Sequence, residues 1–387
     1  MKLQPKPPTV LLLISSEGYY GVENMIVNLA SGLSALGCRP ILAVFRDSRA
    51  CHTEIADHAR SRGLTVELVP CSGRFDLRAV ACLRSLIRSH QVDVIHSHGY
   101  KANLYAFAAA ALSPARLVAT CHNWLGTSWS MRGYAALDRL CLRFFDCITF
   151  VSERVSRTLR NSGIPARKLH KIPNGVDIER FDAASTLQPT ALNDECLIGF
   201  VGRLVPEKGG VILLQAARTV LTQRPQTKFV LVGDGPARQS LQSLAADFGI
   251  SDQVTFAGAR NDMPAVYASF DLLVLPSLCE AMPMCVLEAM AAGKAVIATT
   301  VGSVPEVVDP EQTGILVEPG NVDSLAKALL RLIDSPRDRR RMGANGRIRA
   351  TQHFSATAMS KTYLELYQRV VAVHKSGERT VPQIRTA

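Results

Sequence analysis

Residues 272–293 read Leu272-Leu-Val-Leu275-Pro276-Ser-Leu-Cys-Glu280-Ala-Met-Pro283-Met-Cys-Val-Leu-Glu288-Ala-Met-Ala-Ala-Gly293. Four apolar residues make a buried strand, and Pro276-Ser turns it into a loop. Pro283 marks the opening of a helix, because the N–H it lacks would be unpaired in a first turn anyway. The amides of Met284 and Cys285 then face the strand's carboxyl end, where an anion can dock. Glu280 sits in the loop beside that point and Glu288 about two turns inside the helix. An isolated Glu-x7-Glu pair is ordinarily two solvated glutamates. The surrounding chain gives this one a different meaning.

Outward from that unit, short apolar runs alternate with amphipathic helical patterns along the whole sequence. In the first half, strands are expected at Val10–Ile14, Ile41–Phe45, Thr65–Val69, Val92–His96, Leu117–Cys121 and Cys147–Val151. Helices are expected between them at Glu23–Leu36, Thr53–Arg62, Leu77–Ser89, Lys101–Leu112, Met131–Phe145 and Glu153–Asn161. In the second half, strands fall at Leu197–Val201, Lys228–Val232, Val254–Phe256, Leu272–Leu275 and Ala295–Ala298. Helices follow at Gly210–Gln223, Ala237–Phe248, Met284–Ala292, Val322–Ile333 and Asp338–His353. Continuous apolar strands separated by helices imply parallel sheets covered on both faces. The 387 residues are too many for one ordinary core, so the alternation implies two doubly wound domains. The boundary falls near Asn174–Glu195, a last helical pattern covers Met359–His374, and Ser376–Ala387 reads as a loose tail.

Composition narrows the class. Hydrophobic content of 47% and charged content of 20% describe a soluble globular chain, and no apolar run approaches the ~20 residues of a membrane span. Thr9–Ile14 follows a lysine-containing start but is short and leads into Glu17 rather than a cleavage site, so it reads as a first strand, not an export signal. The ten cysteines are scattered singly, which argues against structural zinc and a disulfide scaffold and favours reduced thiols in a cytoplasmic compartment. The net charge of +11 is one-sided: residues 1–175 hold 22 Lys+Arg against 11 Asp+Glu, and the remainder is balanced. A basic first domain points to an anionic partner. A nucleic-acid partner is disfavoured because aromatic and basic residues do not interleave. The segment Trp124–Tyr134, which holds both tryptophans and leads into Arg139, Arg143, Phe144 and Phe145, suits the headgroup region of an anionic membrane instead, a peripheral contact at the inner face.

Ligands of doubly wound sheets bind beyond the carboxyl ends of the strands, and the polar and glycine-rich clusters of this chain collect there. Ser15 to Glu23, with Gly21, follows the first strand. His96-Ser-His98 ends the fourth, and His122-Asn123 follows the fifth. Gly202-Arg203 leads into Glu207-Lys208-Gly209-Gly210, and Gly233-Asp-Gly-Pro236 follows the next strand. Cations at a helix start oppose the macrodipole, so Arg203 and Lys208 are oddly placed unless an anion binds there. A planar guanidinium and a point-charge ammonium suit a diphosphate. Gly21 lets backbone approach a phosphate closely. His122 can hydrogen-bond a sugar or acceptor hydroxyl, whereas His98 reads as a packing and hydrogen-bonding residue of its strand end. No Asp-x-Asp stands at a strand end and no His/Asp/Glu cluster has metal-ligand spacing, so neither a metal nor another cofactor is required.

These motifs together resemble the retaining glycosyltransferases of family 4, over about residues 9–374. Gly202-Arg203-Leu-x-x-Glu207-Lys208-Gly209 is similar to that family's GRLxxEKG motif, Gly233 to Pro236 to its GDGP turn, and Asn174-Gly-Val-Asp177 to its NGVD. Glu280-x7-Glu288, with Val301-Gly302-x-x-Pro305-Glu306 beyond, is similar to its E-x7-E region. The resemblance implies the α/β fold called GT-B: two Rossmann-like parallel-sheet domains with an inter-domain cleft. It places an acceptor-side domain at 1–178, a nucleotide-sugar donor domain at 179–358, and a helix at 359–375 returning to the first domain. It implies a retaining hexosyl or glycosyl transfer, independent of metal, from a nucleotide-diphosphate sugar, commonly a uridine diphosphate sugar. The acceptor would be a saccharide or lipid-linked saccharide in cell-surface or exopolysaccharide synthesis. His122, Arg203, Lys208 and Glu280 would be the catalytic set. Gly21, Gly202, Gly233, Arg260, Met282, Pro283, Met284, Cys285 and Glu288 would join Arg203, Lys208 and Glu280 in holding the donor. Arg203 and Lys208 would take the diphosphate, Glu280 the sugar hydroxyls and Glu288 the ribose. The chain departs from the family in having Tyr20 before Gly21 and Ala281-Met282-Pro283 where Gly-Phe-Gly is frequent. The residues alone leave two other readings: a nucleotide-sugar epimerase of the same fold, and a non-catalytic two-domain sugar-binding protein.

Overall fold

The computed structural model describes residues 7–16, 18–47, 52–73, 75–111, 113–122, 129–182 and 196–376. The chain divides into two compact units, Met1–Gly175 with Ala356–Ala387, and Val176–Ser355. The first unit holds seven strands, β1 (Thr9–Ile14), β2 (Arg39–Arg46), β3 (Thr65–Pro70), β4 (Val94–His98), β5 (Arg116–Cys121), β6 (Cys147–Phe150) and β7 (Leu169–Lys171). Their order is β3-β2-β1-β4-β5-β6-β7 and every pairing is parallel. In the second unit β8 (Leu197–Val201), β9 (Lys228–Val232), β10 (Val254–Gly258), β11 (Leu272–Leu275), β12 (Ala295–Thr299) and β13 (Gly314–Val317) form a parallel sheet in the order β10-β9-β8-β11-β12-β13. In both sheets the order reverses beside the first strand, which defines the crevice where doubly wound folds bind ligands.

The strands follow from composition. β1 is Thr-Val-Leu-Leu-Leu-Ile, buried from Val10 onward, and β11 is Leu-Leu-Val-Leu, buried throughout. Both lie in the middle of their sheets with helices on each face, so neither alternates with polar residues. Two strands go beyond the sequence expectation. β7 is only Leu-His-Lys, too short to carry a pattern, and β13 is Gly-Ile-Leu-Val behind a turn. The short helices Met263–Ser269 and Val304–Val307 were likewise not foreseen; each carries a proline in its first turn, a residue that breaks a periodic reading. β4 runs Val94–His98 rather than Val92–His96, because its register against β1 pairs Val10 with Val94 and Ile14 with His98. The shift adds His98 to the strand beside His96.

The final helix, Ala356–Ser376, belongs to the first unit. It packs along the helix Gly21–Ala35, where a side chain on Gly32 would overlap Ser360. Its Tyr363 and Tyr367 are fully buried beneath the sheet's carboxyl end. Tyr363 hydroxyl contacts the hydroxyls of Thr120 and Thr149 at 3.1 Å each, and Tyr367 hydroxyl meets His96 Nδ1 at 2.7 Å.

Some positive-φ glycines in the second unit sit where loops press on one another, and others face open space. Gly209 has φ +73°, and a Cβ there would overlap the Pro276 carbonyl. Gly249 has φ +67° with open space around it. Replacing Gly249 with Ala should therefore cost only left-handed strain, about 1 kcal/mol. Gly209→Ala adds a backbone clash and should cost about 3 kcal/mol or more. Urea unfolding of the two variants checks this, and equal midpoints would mean the loops are not held together at Gly209.

Candidate active site

The second unit's site is built from loops that follow β8, β9, β11 and β12. Gly202 N–H donates to Val232 carbonyl at 3.0 Å and Leu204 N–H to Asp234 carbonyl at 2.8 Å, lacing the first two loops. A Cβ on Gly233 would overlap the Gly202 carbonyl, and one on Gly235 the Leu204 carbonyl, so only glycine permits this contact. The β11 loop is held from both sides. Leu278 N–H donates to Glu207 carbonyl at 2.8 Å, while Thr299 hydroxyl donates to Ser277 carbonyl at 2.6 Å. Ser303 hydroxyl and N–H both reach Ala281 carbonyl, at 2.6 and 2.9 Å. Gly302, with φ +57°, lies directly against the Glu280 carbonyl.

That clamp fixes Glu280, which is 8% exposed. Its Oε1 accepts from Lys208 Nζ at 2.6 Å and from Ser277 hydroxyl at 2.8 Å. Burial pulls the Lys208 amine down, but the charge of Glu280, the nearby Cys285 and the hydrogen bond outweigh it, so its pKa is raised and the ammonium stays charged. Arg203, exposed on the same loop, adds a second positive charge close enough to oppose that of Lys208. Two cations against the single Glu280 carboxylate leave an excess of positive charge that favours an anion nearby.

The β11 loop passes into the helix Met284–Ala291 with Pro283 as its N-cap. Proline offers no side-chain acceptor, so the first amides of the helix are not capped by it. Met282, Met284 and Cys285 are buried. Burial pushes the Cys285 thiol up to about 12, the Lys208 cation opposing, so it is no thiolate. Glu288 is buried on the helix and accepts from Tyr267 hydroxyl at 2.8 Å, and burial followed by Glu288 raises that phenol well above its ordinary range. Ser277, Ser303 and Tyr267 had not been singled out from sequence. Tyr267 lies on the unforeseen helix Met263–Ser269, and a lone serine or tyrosine carries no motif. Arg260, beyond β10, is exposed and paired through two hydrogen bonds with Asp262, at 2.8 and 2.6 Å.

In the first unit, Gly21 opens the helix Gly21–Ala35. Glu23 reaches back to Tyr20 N–H and accepts from Ser16 hydroxyl, each at 3.1 Å, so a carboxylate already serves this helix start. His122 follows β5, half-buried, with Nε2 3.2 Å from His98 Nδ1. Burial lowers its pKa to about 4 and that of His96 to about 3, with His122 adding to the latter. Both rings are neutral at physiological pH. Asn123 and Trp124 lie outside the described residues, as do the side chains of Trp129, Arg132 and Tyr134. Phe145, expected with Phe144 on an outward face, is fully buried; Phe144 is exposed. The two are adjacent on a turn and point to opposite sides, one into the core. Among the described residues, no three His, Cys, Asp or Glu side chains group as metal ligands, and no helix is long and apolar enough to cross a membrane.

The fold coincides with that of known proteins. The structure matches the crystal structure of Anabaena Alr3699/HepE in complex with UDP and glucose, with TM-score 0.80 over 92% of this chain and 98% of that one, at 23% identity. The model for glycosyl transferases group 1 matches residues 186–349, and that for glycosyltransferase family 4 matches residues 19–180. A GDP-mannose-dependent alpha-(1-6)-phosphatidylinositol monomannoside mannosyltransferase of Mycobacterium tuberculosis is 33% identical over 286 residues, 68% of this chain and 73% of that protein. UDP-Gal:alpha-D-GlcNAc-diphosphoundecaprenol alpha-1,3-galactosyltransferase of Escherichia coli is 29% identical over 277 residues, 67% and 71% of the two chains. The chain belongs to the group 1, family 4 glycosyltransferases, and it has their two-sheet GT-B fold.

The Lys208–Glu280 contact can be weighed by a double-mutant cycle. Lys208→Ala leaves a buried carboxylate without its cation and should destabilise more than the double variant Lys208→Ala/Glu280→Gln. A coupling of about 1–3 kcal/mol from urea unfolding is expected, and purely additive effects would show the pair to be incidental.

Proposed function

We propose that this glycosyltransferase takes a sugar from a nucleotide-diphosphate sugar, with uridine diphosphate as the nucleotide, and transfers it with retention to a lipid-linked saccharide in cell-surface or exopolysaccharide synthesis. The observation that carries the reading is the Lys208–Glu280 pair with Arg203 beside it, fixed at the sheet's carboxyl end by glycine-dependent loop contacts. As the bond from the anomeric carbon to the diphosphate breaks, negative charge grows on the leaving phosphate. Arg203 and Lys208 stabilise it without reorganising. The acceptor hydroxyl attacks from the same face, its oxygen bonding the anomeric carbon while its proton passes to the leaving phosphate. No carboxylate nucleophile is needed, and the protein contributes positioning and electrostatics. Glu280 holds sugar hydroxyls with its remaining acceptor capacity, Glu288 the ribose, and His122 hydrogen-bonds the transferred sugar or the acceptor. Cationic side chains take the part a divalent ion plays elsewhere, so the reaction proceeds without one. The named relatives are transferases, and an epimerase reading draws no support from them.

Arg203→Ala should lower kcat by about 10²–10³-fold. The same holds for Lys208→Ala made in the Glu280→Gln background, which avoids the orphaned carboxylate. Transfer measured in excess EDTA should match that in Mg²⁺. Wild-type turnover in Arg203→Ala, or loss in EDTA restored by Mg²⁺ or Mn²⁺, would contradict the assignment.

Both relatives named above carry lipid-anchored acceptors in their names, which supports an acceptor presented at a membrane. One surface of the first unit supports this reading. Leu137, Leu140 and Phe144 are 38%, 51% and 61% exposed on and just after the helix Trp129–Leu142, beside exposed Arg139 and Arg143. Apolar side chains flanked by guanidinium groups suit an anionic headgroup layer, each arginine adding about 1 kcal/mol. In flotation assays the protein should bind phosphatidylglycerol vesicles at low salt and release at high salt, and Leu140→Asp/Phe144→Asp should weaken binding. Absence of binding at low salt would favour a soluble acceptor.

A further inference from the structure

Three histidines stand together at the carboxyl ends of β4 and β5. His96 is fully buried with both ring nitrogens engaged, Nδ1 with Tyr367 hydroxyl at 2.7 Å and Nε2 with Thr120 hydroxyl at 2.6 Å. Its ring packs on His98 with centroids 4.2 Å apart and planes tilted 42°. His98 is 2% exposed and its Nδ1 lies 3.2 Å from His122 Nε2. The His98 and His122 centroids are 5.4 Å apart with planes only 22° from parallel. That separation is close to the largest a 3.2 Å nitrogen–nitrogen contact allows, so the rings lie edge to edge and the contact runs along a lone-pair direction. The other nitrogen of His98, Nε2, is buried with no hydrogen-bond partner among the described residues.

One hydrogen bond between two neutral imidazoles has two possible directions. If His122 donates, His98 must carry its proton on Nε2, where a buried N–H would have no acceptor. If His98 donates from Nδ1, its Nε2 is a bare lone pair, and no donor is orphaned. Buried N–H groups without an acceptor are the rarer of the two defects. We infer that His98 is a positioning residue: it donates Nδ1–H to His122 Nε2 and thereby holds His122 as the tautomer protonated on Nδ1. The hydrogen bond made by one ring nitrogen decides which proton the other carries. Tyr367 of the final helix acts one step behind, keeping His96 in place against the His98 ring. The arrangement presents His122 as a neutral hydrogen-bond donor rather than an acceptor, which suits a sugar oxygen or an oxygen gaining negative charge. This consequence rests on the reading that His122 serves the transferred sugar or the acceptor; the tautomer itself does not.

The test is nitrogen NMR of the full chain labelled with ¹⁵N-histidine, in which protonated and bare ring nitrogens have separate shift ranges. The wild-type protein should show His122 protonated on Nδ1 and bare on Nε2. His98→Asn places an amide donor where Nδ1–H was and should keep that tautomer with kcat within about threefold. His98→Asp offers only an acceptor and should move the His122 proton to Nε2, lowering kcat about 10–100-fold while KM for the donor holds. A wild-type His122 protonated on Nε2, or Asp and Asn variants that behave alike, would overturn the inference. If the tautomers are as stated but His122→Ala turns over like the wild type, the positioning stands and the placement of His122 in the reaction falls.

Discussion

Everything the second unit offers a ligand depends on peptide groups packed closer than a Cβ permits. Gly209 against Pro276, Gly233 against Gly202, Gly235 against Leu204 and Gly302 against Glu280 bring four loops into backbone contact at the carboxyl end of the sheet. All four glycines have positive φ, so both the conformation and the proximity exclude a side chain. Gly209 of the GRLxxEKG-like stretch and both glycines of the GDGP-like turn are therefore structural requirements first. They convert flexible loop positions into a rigid frame, and the charged residues between them inherit that rigidity.

Within the frame, the Lys208–Glu280 contact is short, largely buried and supported by Ser277. A long lysine side chain would ordinarily lose considerable rotamer freedom on binding an anion. Here the carboxylate has already fixed it. Glu280 also keeps the ammonium protonated where burial alone would lower its pKa. The cost of preorganisation is thus met on folding rather than on binding, the condition under which fixed charges stabilise developing charge well. Arg203 is exposed and reaches solvent, whereas Lys208 is held against Glu280.

Much of this was legible in the sequence, for definite reasons. Strands buried on both faces are continuous apolar runs, and nearly every one was found within two residues of its ends. β7 was missed because three residues carry no period, and β13 because its apolar run is short. Lys208, Glu280 and Glu288 were visible through motif spacing. Their partners were not: Ser277 and Tyr267 become meaningful only when β11 and the helix Met263–Ser269 are set side by side, and neither residue type announces a role. The resemblance set Lys208 and Glu280 around one donor, but their direct contact was invisible because 72 residues separate them in sequence. His98 illustrates the same limit, since only the pairing of β4 with β5 brings its ring to His122. Phe145 shows the reverse, a hydrophobic residue beside an exposed phenylalanine that belongs to the core.

The central claim is that the second unit recognises a diphosphate through Arg203 and Lys208, and calorimetric titration tests it most directly. UDP, GDP and uridine would be titrated into the wild-type chain and into Arg203→Ala. The account predicts that a nucleoside diphosphate binds the wild type at least tenfold more tightly than uridine, about 1.4 kcal/mol, and that the gap narrows in the variant. Uridine and UDP binding with equal affinity, or a gap untouched by the loss of Arg203, would contradict it.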